Sequence, residues 1–230
     1  MSLTVRELAK TIEHTLLKPE ATAREIDVLC DEAIVHGFHG VCVNPIHVQR
    51  VANRVAAAGG TVRIVTVVGF PLGATKTANK ADEARRAMDD GADEIDMVAN
   101  IGALMVSDRK TVRADIETVA RVVHGRGVSS LLKVILETTV LTDEGKIFGC
   151  RCAAEGEADF VKTSTGFHPS GGAVVGDVAL LHRHGAPLGV KAAGGIRSVA
   201  SAVAMIQAGA SRIGTSAGVK ILADAVGAGI

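Results

Sequence analysis

Short runs of apolar, β-branched residues alternate along this chain with longer stretches in which apolar positions recur at helical spacing. Thr4-x-x-Glu7 has the form of a capping box and predicts a short extra helix at the N-terminus. Ile12–Leu17 then reads as a strand, stopped by Lys18-Pro19. From Thr22, the positions Ile26, Leu29, Cys30, Ala33 and Ile34 fall on one helical face, and Gly37 closes that helix. Val41–Val43 is a buried-type strand before the turn at Asn44-Pro45, and Val48–Ala58 is a helix ended by Gly59-Gly60. Val62–Val68 runs into the loop Gly69–Gly73, and Lys76–Asp90 is an alanine-rich helix closed by Gly91. Glu94–Val98 predicts the next strand, left through Asn100-Ile101-Gly102. The helix that follows carries Val112, Ile116, Val119 and Val123 on one face.

The second half repeats the pattern. Leu131–Leu136 is a strand reaching Glu137-Thr138, followed by a helix over about Thr142–Ala154. Asp159–Lys162 is a strand that enters the polar turn Thr163-Ser164-Thr165-Gly166, and Gly171-Gly172 precedes a helix near Val178–His184. Leu188–Ala192 ends in Gly194-Gly195, a helix bearing Val199, Val203 and Ile206 stops at Gly209, and Arg212–Ser216 leads into a last helix. Eight strands therefore begin near residues 12, 40, 63, 94, 131, 159, 188 and 212, spaced for one strand and one helix each. Apolar strands alternating with helices imply a parallel sheet covered on both faces. Eight such units fit a closed (β/α)8 TIM barrel, an α/β fold, better than an open doubly wound sheet, since no G-x-G-x-x-G opens a helix. No linker or low-complexity stretch divides residues 1–230, so one domain is expected.

Composition narrows the partners. Lys+Arg and Asp+Glu are equal at 25 each, and the chain has neither Trp nor Tyr. Nucleic-acid binding therefore lacks both a basic footprint and stacking platforms. No apolar run reaches the roughly 18–20 residues of a membrane span, and the first residues do not read as a signal peptide, so a cytoplasmic protein is expected. Cys30, Cys42, Cys150 and Cys152 lack the spacing of a zinc or redox motif, and the eight histidines form no H-E-x-x-H. Reduced, packed thiols and no metal or other cofactor are the expectation. The outer helices leave room for a homodimer or higher homo-oligomer, and a monomer is equally allowed.

Four ionisable residues interrupt otherwise apolar strands: Asp96, Lys133, Lys162 and Lys191. In a closed barrel they converge, and unpaired burial would cost several kcal/mol each, so they must pair or change protonation. A second ammonium ~5 Å from Lys162, at an effective dielectric of ~20, would oppose its protonation by roughly 3 kcal/mol, or about two pKa units. Lys191 is the candidate for that neighbour, and a neutral amine attacks carbonyls to give a Schiff base. A lysine paired only with Asp96 would instead stay charged and inert. Gly166, Gly194-Gly195 and Gly214-Thr215-Ser216 follow consecutive late strands, where barrels of this kind bind phosphate; Ser216 can add a hydroxyl and Arg197 a charge. The expected partner is a small phosphorylated carbonyl compound.

At these residues the chain resembles the deoxyribose-phosphate aldolases, class I enzymes of the (β/α)8 type. Ile12–Pro19 resembles the family's opening motif and Gly91–Asp96 its acidic strand. Phe160–Gly166 resembles the Schiff-base strand, and Val190–Arg197 the strand of the second lysine. The resemblance implies reversible cleavage of 2-deoxy-D-ribose 5-phosphate to acetaldehyde and D-glyceraldehyde 3-phosphate, in deoxynucleoside catabolism and without a cofactor. It implies Lys162 as the imine-forming residue, Lys191 as the group that keeps it neutral and Asp96 as proton relay, with Lys133 holding Asp96 ionised. It further implies substrate contacts from Lys133, Glu13, Thr15, Cys42, Thr165, Gly166, Gly194, Gly195, Arg197, Gly214 and Ser216. Three features depart from the family pattern: Glu13 replaces an aspartate, Phe167 stands where some members have a phosphate-side lysine, and no C-terminal tyrosine is present. Two alternatives share the barrel. A phosphosugar epimerase or isomerase would use Asp96 and Glu13 as its acid/base pair, with Lys162 merely electrostatic, and a sensor would bind phosphosugar without turnover.

Overall fold

The computed structural model describes residues 3–127 and 129–229. Eight strands, β1 (Ile12–Leu16), β2 (Gly40–Val43), β3 (Arg63–Val68), β4 (Glu94–Val98), β5 (Leu131–Ile135), β6 (Phe160–Lys162), β7 (Gly189–Ala193) and β8 (Arg212–Thr215), pair in parallel and in chain order. The ring closes where Ile12–His14 pair with Ile213–Thr215. All-parallel pairing needs a crossover between neighbours, and the helices supply it. These are α1 (Val5–Ala9), α2 (Ala23–Val35), α3 (Val48–Ala57), α4 (Thr77–Asp89), α5 (Ile101–Met105), α6 (Arg109–His124), α7 (Asp143–Glu155), α8 (Val175–Gly185), α9 (Val199–Gln207) and α10 (Gly218–Gly227). The architecture is the (β/α)8 barrel expected from the alternation.

Local chemistry accounts for the boundaries. Thr4 and Glu7 close a reciprocal capping box on α1, and Thr22 and Glu25 do the same on α2. The sequence pattern announces no helix at five-residue α5, where Asn100-Ile101-Gly102 is read only as the exit from β4. Asn100 caps α5 by accepting from the Ala103 N–H, and one turn is too short to display a helical period. Helix α8 begins at Val175, three residues before the expected start, and Val174 gives it no side-chain cap. The main core packs the outer strand faces, through residues such as Ile95, Leu132, Val161 and Val190, against helix positions such as Ile26, Ile116 and Leu181. A second, smaller cluster of Leu17, Cys42, Val65 and Val67 is separate from it, with Phe70 packed on top.

Two lysines that the strand pattern did not highlight are also buried among the helices. Lys80 donates to Asp115 Oδ2 (2.6 Å) and to the Val98 carbonyl (2.8 Å), tying α4 and α6 to the end of β4. Lys146 pairs with Asp177 at 2.7 Å and joins α7 to α8. Each pair is satisfied, which is the condition under which buried charge is tolerated.

Candidate active site

Strand parity places the charged residues. Side chains two apart on a strand share a face, so Glu94 and Asp96 of β4 point the same way. Cross-strand register sets Asp96 opposite Lys133 and Lys162 opposite Lys191. Ile135, not Lys133, lies opposite Lys162, so the Lys162–Lys191 pair stands one layer closer to the C-terminal ends of the strands. Lys133, Lys191, Asp96, Glu13 and Glu94 are each fully buried, and Lys162 is 2% exposed.

Asp96 is the hub. Its Oδ1 accepts from Lys133 Nζ at 3.0 Å, and its Oδ2 accepts from both Lys162 Nζ (2.8 Å) and Lys191 Nζ (2.5 Å). Lys191 also donates to Glu13 Oε2. Lys133 forms ion pairs with Glu94 Oε2 at 2.5 Å and Glu13 Oε1 at 3.5 Å. Burial alone would raise Asp96, but the three ammoniums outweigh it and hold its carboxyl well below the usual carboxylate range. Burial would lower Lys133 and Lys191, yet the surrounding carboxylates, Asp96 first and Glu13 next, push both above the ordinary lysine value. Lys191 is therefore a fixed cation held by two acids rather than a free ammonium beside Lys162, and the arrangement differs in that respect from the expected lone lysine pair. Sharing one oxygen of Asp96 nevertheless keeps the two nitrogens side by side.

A cavity of about 260 Å³ opens above this network. Its lining contains Thr15, Lys162, Thr165, Gly166, Gly194, Gly195, Arg197, Gly214 and Ser216, all expected from sequence. Leu16, Leu17, Lys18, Phe167, Ala193, Ile196 and Thr215 complete it; of these, the sequence points to Phe167 and, within the Gly214-Thr215-Ser216 turn, to Thr215. Asp96, Lys191, Lys133, Glu13 and Cys42 are not part of the lining. The last three were expected to touch substrate; each is buried behind the cavity wall, where Lys133 and Glu13 have each other and Cys42 packs with Val65 and Val67. Burial pushes the Cys42 thiol up to about 11.

The turn after β6 is held from both sides. Ala193 N–H donates to Thr163 Oγ1 (3.1 Å), and Thr165 Oγ1 donates to Glu137 Oε2 (2.6 Å), with the Thr165 N–H also directed at that carboxylate. Glu137 is 1% exposed and adopts a left-handed backbone, φ 57°, a conformation that costs a non-glycine residue about 1–3 kcal/mol. Such an outlier at the end of β5, clamped to the turn that follows Lys162, marks Glu137 as part of the site's frame. The loop backbones themselves crowd together. Gly194 has φ 94°, and a Cβ there would come within 2.9 Å of Gly172 Cα and 3.3 Å of Gly166 Cα. Three glycines are what allow the loops after β6 and β7 to meet at the cavity rim.

Glu13, His39 and Glu94 bring ligand atoms within 4.8 Å of one another. The Lys133 ammonium stands between Glu94 and Glu13, in the place a cation would take.

A family described as DeoC/LacD family aldolase matches residues 8–224. The chain belongs to the DeoC/LacD aldolase family. It is 54% identical to a deoxyribose-phosphate aldolase of Thermococcus gammatolerans over 220 residues, covering 95% of this chain and 96% of that protein. A Brevibacillus brevis protein of the same name is 52% identical over 217 residues, 94% of this chain and 95% of the other. Among solved structures, the deoxyribose phosphate aldolase of Aeropyrum pernix, described as tetrameric, aligns with a TM-score of 0.89 at 32% identity, covering 96% of this chain and 92% of that one. Family membership and the barrel agree, since the loops after the late strands of such a barrel lie at the rim where the glycine turns meet here.

Proposed function

We propose that this chain, acting as one domain, is a class I aldolase that reversibly cleaves 2-deoxy-D-ribose 5-phosphate to D-glyceraldehyde 3-phosphate and acetaldehyde. The observation that carries the reading is the position of Lys162. It is the one lysine of the buried network, among the described residues, that lines the cavity. Similarity to proteins named deoxyribose-phosphate aldolase supports the substrate.

In this reading the Lys162 amine adds to the C1 aldehyde of the open-chain sugar, and loss of water gives an iminium ion. The C3 hydroxyl gives up its proton, the C2–C3 bond breaks and its electron pair passes into the iminium, which becomes an enamine as glyceraldehyde 3-phosphate leaves. Protonation at C2 and attack of water on the imine return Lys162 and release acetaldehyde. Asp96, which accepts from both neighbouring lysines, takes the C3-hydroxyl proton and returns it to C2 through a water molecule. The phosphate lies toward the loops after β7 and β8, where Gly194-Gly195 and Gly214-Thr215-Ser216 offer backbone N–H groups and the exposed Arg197 and Lys18 add charge.

The isomerase alternative requires Glu13 and Asp96 to face substrate as an acid/base pair. Both are fully buried, and both are engaged by Lys191. No helix among the described residues is long and apolar enough to cross a membrane. We place the enzyme in the cytoplasm, as a homo-oligomer like its Aeropyrum pernix relative, on similarity alone. The direct test is acetaldehyde release from 2-deoxyribose 5-phosphate. The wild type should release it, Lys162→Met should lose at least ~10⁴-fold in kcat/KM, and a Lys162→Met enzyme of near wild-type rate would end the assignment.

A further inference from the structure

The charged network does not stop at Lys133. Glu94 Oε2 pairs with Lys133 at 2.5 Å, and Glu94 Oε1 faces the other way, toward His39 Nε2 at 3.1 Å and Arg63 Nε at 3.7 Å. His39 precedes β2, Arg63 opens β3 and Glu94 opens β4, so these groups mark the N-terminal mouth of the barrel, opposite the cavity. Arg63 is fixed there by Asp93 Oδ1 (3.3 Å) and the Ser129 carbonyl (2.7 Å), and about a third of its side chain reaches solvent. A continuous line of contacts thus runs through the barrel, from solvent at Arg63 to Lys162 beneath the substrate cavity.

The charge count gives that line a purpose. Lys133, Lys162 and Lys191 face Glu13, Glu94 and Asp96, three cations against three anions. Releasing the Lys162 proton would leave this enclosed set with an excess negative charge, which draws the proton back. Arg63 adds a positive charge from outside, beside the far oxygen of Glu94, and shares it with Asp93. With Arg63 and Asp93 both counted, the set carries one negative charge when Lys162 is an amine, against two were Arg63 absent. We propose that Arg63, assisted by His39, is a remote positioning element for the reaction: by covering Glu94 at the N-terminal mouth it allows Lys162 to stand as a neutral nucleophile at the opposite end. The groups that face Lys162 directly are Asp96 from β4 and Lys191 from β7, with Lys133, Glu13 and the Cys42 thiol behind them. Arg63 itself bonds to Asp93, Glu94 and the Ser129 carbonyl, and to none of these groups. The inference rests on the aldolase reading for its purpose, not for its test.

The test compares Arg63→Gln, Glu94→Gln, His39→Gln and the double Arg63→Gln/Glu94→Gln variant in the full chain. Two readouts are taken against pH: kcat/KM for cleavage of 2-deoxyribose 5-phosphate, and the rate at which cyanate carbamylates Lys162, followed by peptide mass spectrometry. An uncovered Glu94 favours the ammonium form of Lys162, so Arg63→Gln should move the acidic limb of both profiles to higher pH. The expected shift is about one pH unit, the effect of a unit charge ~10 Å away at an effective dielectric of ~20. Activity should recover on the alkaline side to within about threefold of wild type. His39→Gln should shift the limb the same way by less. Glu94→Gln leaves Arg63 in excess and should move the limb to lower pH, and the double variant should return near the wild-type position. A merely structural role would lower the plateau without moving the limb, or move Arg63→Gln and Glu94→Gln in one direction; either result overturns the proposal. Should Glu94→Gln fail to fold, an unmoved limb in Arg63→Gln alone is sufficient to overturn it. A wild type that cleaves no sugar would count against the aldolase reading, while the carbamylation profiles would still decide the role of Arg63.

Discussion

Replacing Asp96 by asparagine keeps the shape of the hub and removes its charge. In the wild type one fully buried carboxylate accepts from Lys133, Lys162 and Lys191 at 3.0, 2.8 and 2.5 Å. Removing one partner of a buried ion pair costs about 3–5 kcal/mol. A second route gives a ceiling on the same number. The variant can escape by releasing a proton from one lysine, which at pH 7 costs about 4.6 kcal/mol for a group that ordinarily titrates near ~10.4. We therefore expect Asp96→Asn to lose about 3–5 kcal/mol at pH 7, a fall of roughly 6–20 °C in Tm for a chain of this size. If escape is by proton release, the folded variant binds fewer protons than its unfolded chain, so its stability rises with pH by up to about 1.4 kcal/mol per unit below ~10. The deficit should therefore be smaller at pH 9 than at pH 7. It should also shrink in acid. The folded-state carboxyl of Asp96 lies well below its ordinary value, so its contribution is complete above about pH 4 and is lost as pH falls through that depressed value. Urea titrations at pH 7 and 9 measure the first effect directly, and kcat/KM should drop by about 10²–10⁴. An Asp96→Asn protein with unchanged stability at both pH values would refute the description of Asp96 as the hub of the buried charges.

Other outcomes follow from the same geometry. Gly194→Ala places a Cβ against the loop backbone at a left-handed position, so it should cost about 1–3 kcal/mol in urea melts. It should also raise KM for the phosphorylated sugar more than it lowers kcat, since it disturbs the rim and not Lys162. All four cysteines are free and buried, and burial raises Cys42 to about 11 and Cys150 to about 12. Iodoacetamide at pH 7.5 should leave every cysteine peptide of the native protein unmodified in mass spectrometry, with labelling only in denaturant.

Much of the fold was legible because β-branched strands and helical spacing alternate cleanly, and all eight strands begin within a residue or so of where the pattern put them. The misses have physical reasons. Helix α5 spans one turn and carries no period, and α8 starts at a valine without a capping side chain, so neither boundary left a mark. In the site, Lys133, Lys162, Lys191 and Asp96 stood out because each interrupts an apolar run. Glu94 did not, since it opens its strand next to Asp93 and reads as a solvated end. The signal was present in the alternation itself, because residues 94 and 96 of one strand share a face. His39, Arg63 and Glu137 could not be read in this way. Their roles depend on which strand ends lie side by side in the closed ring, and for Glu137 on a left-handed backbone that no residue pattern announces.

The proposed reaction depends on one nitrogen, Nζ of Lys162. Incubating the full chain with acetaldehyde, reducing with borohydride and mapping the peptides would interrogate that atom alone. A Schiff-base Lys162 should give a stable two-carbon adduct there, with none on Lys133 or Lys191. An adduct elsewhere, or no adduct while 2-deoxyribose 5-phosphate is still cleaved, would contradict it.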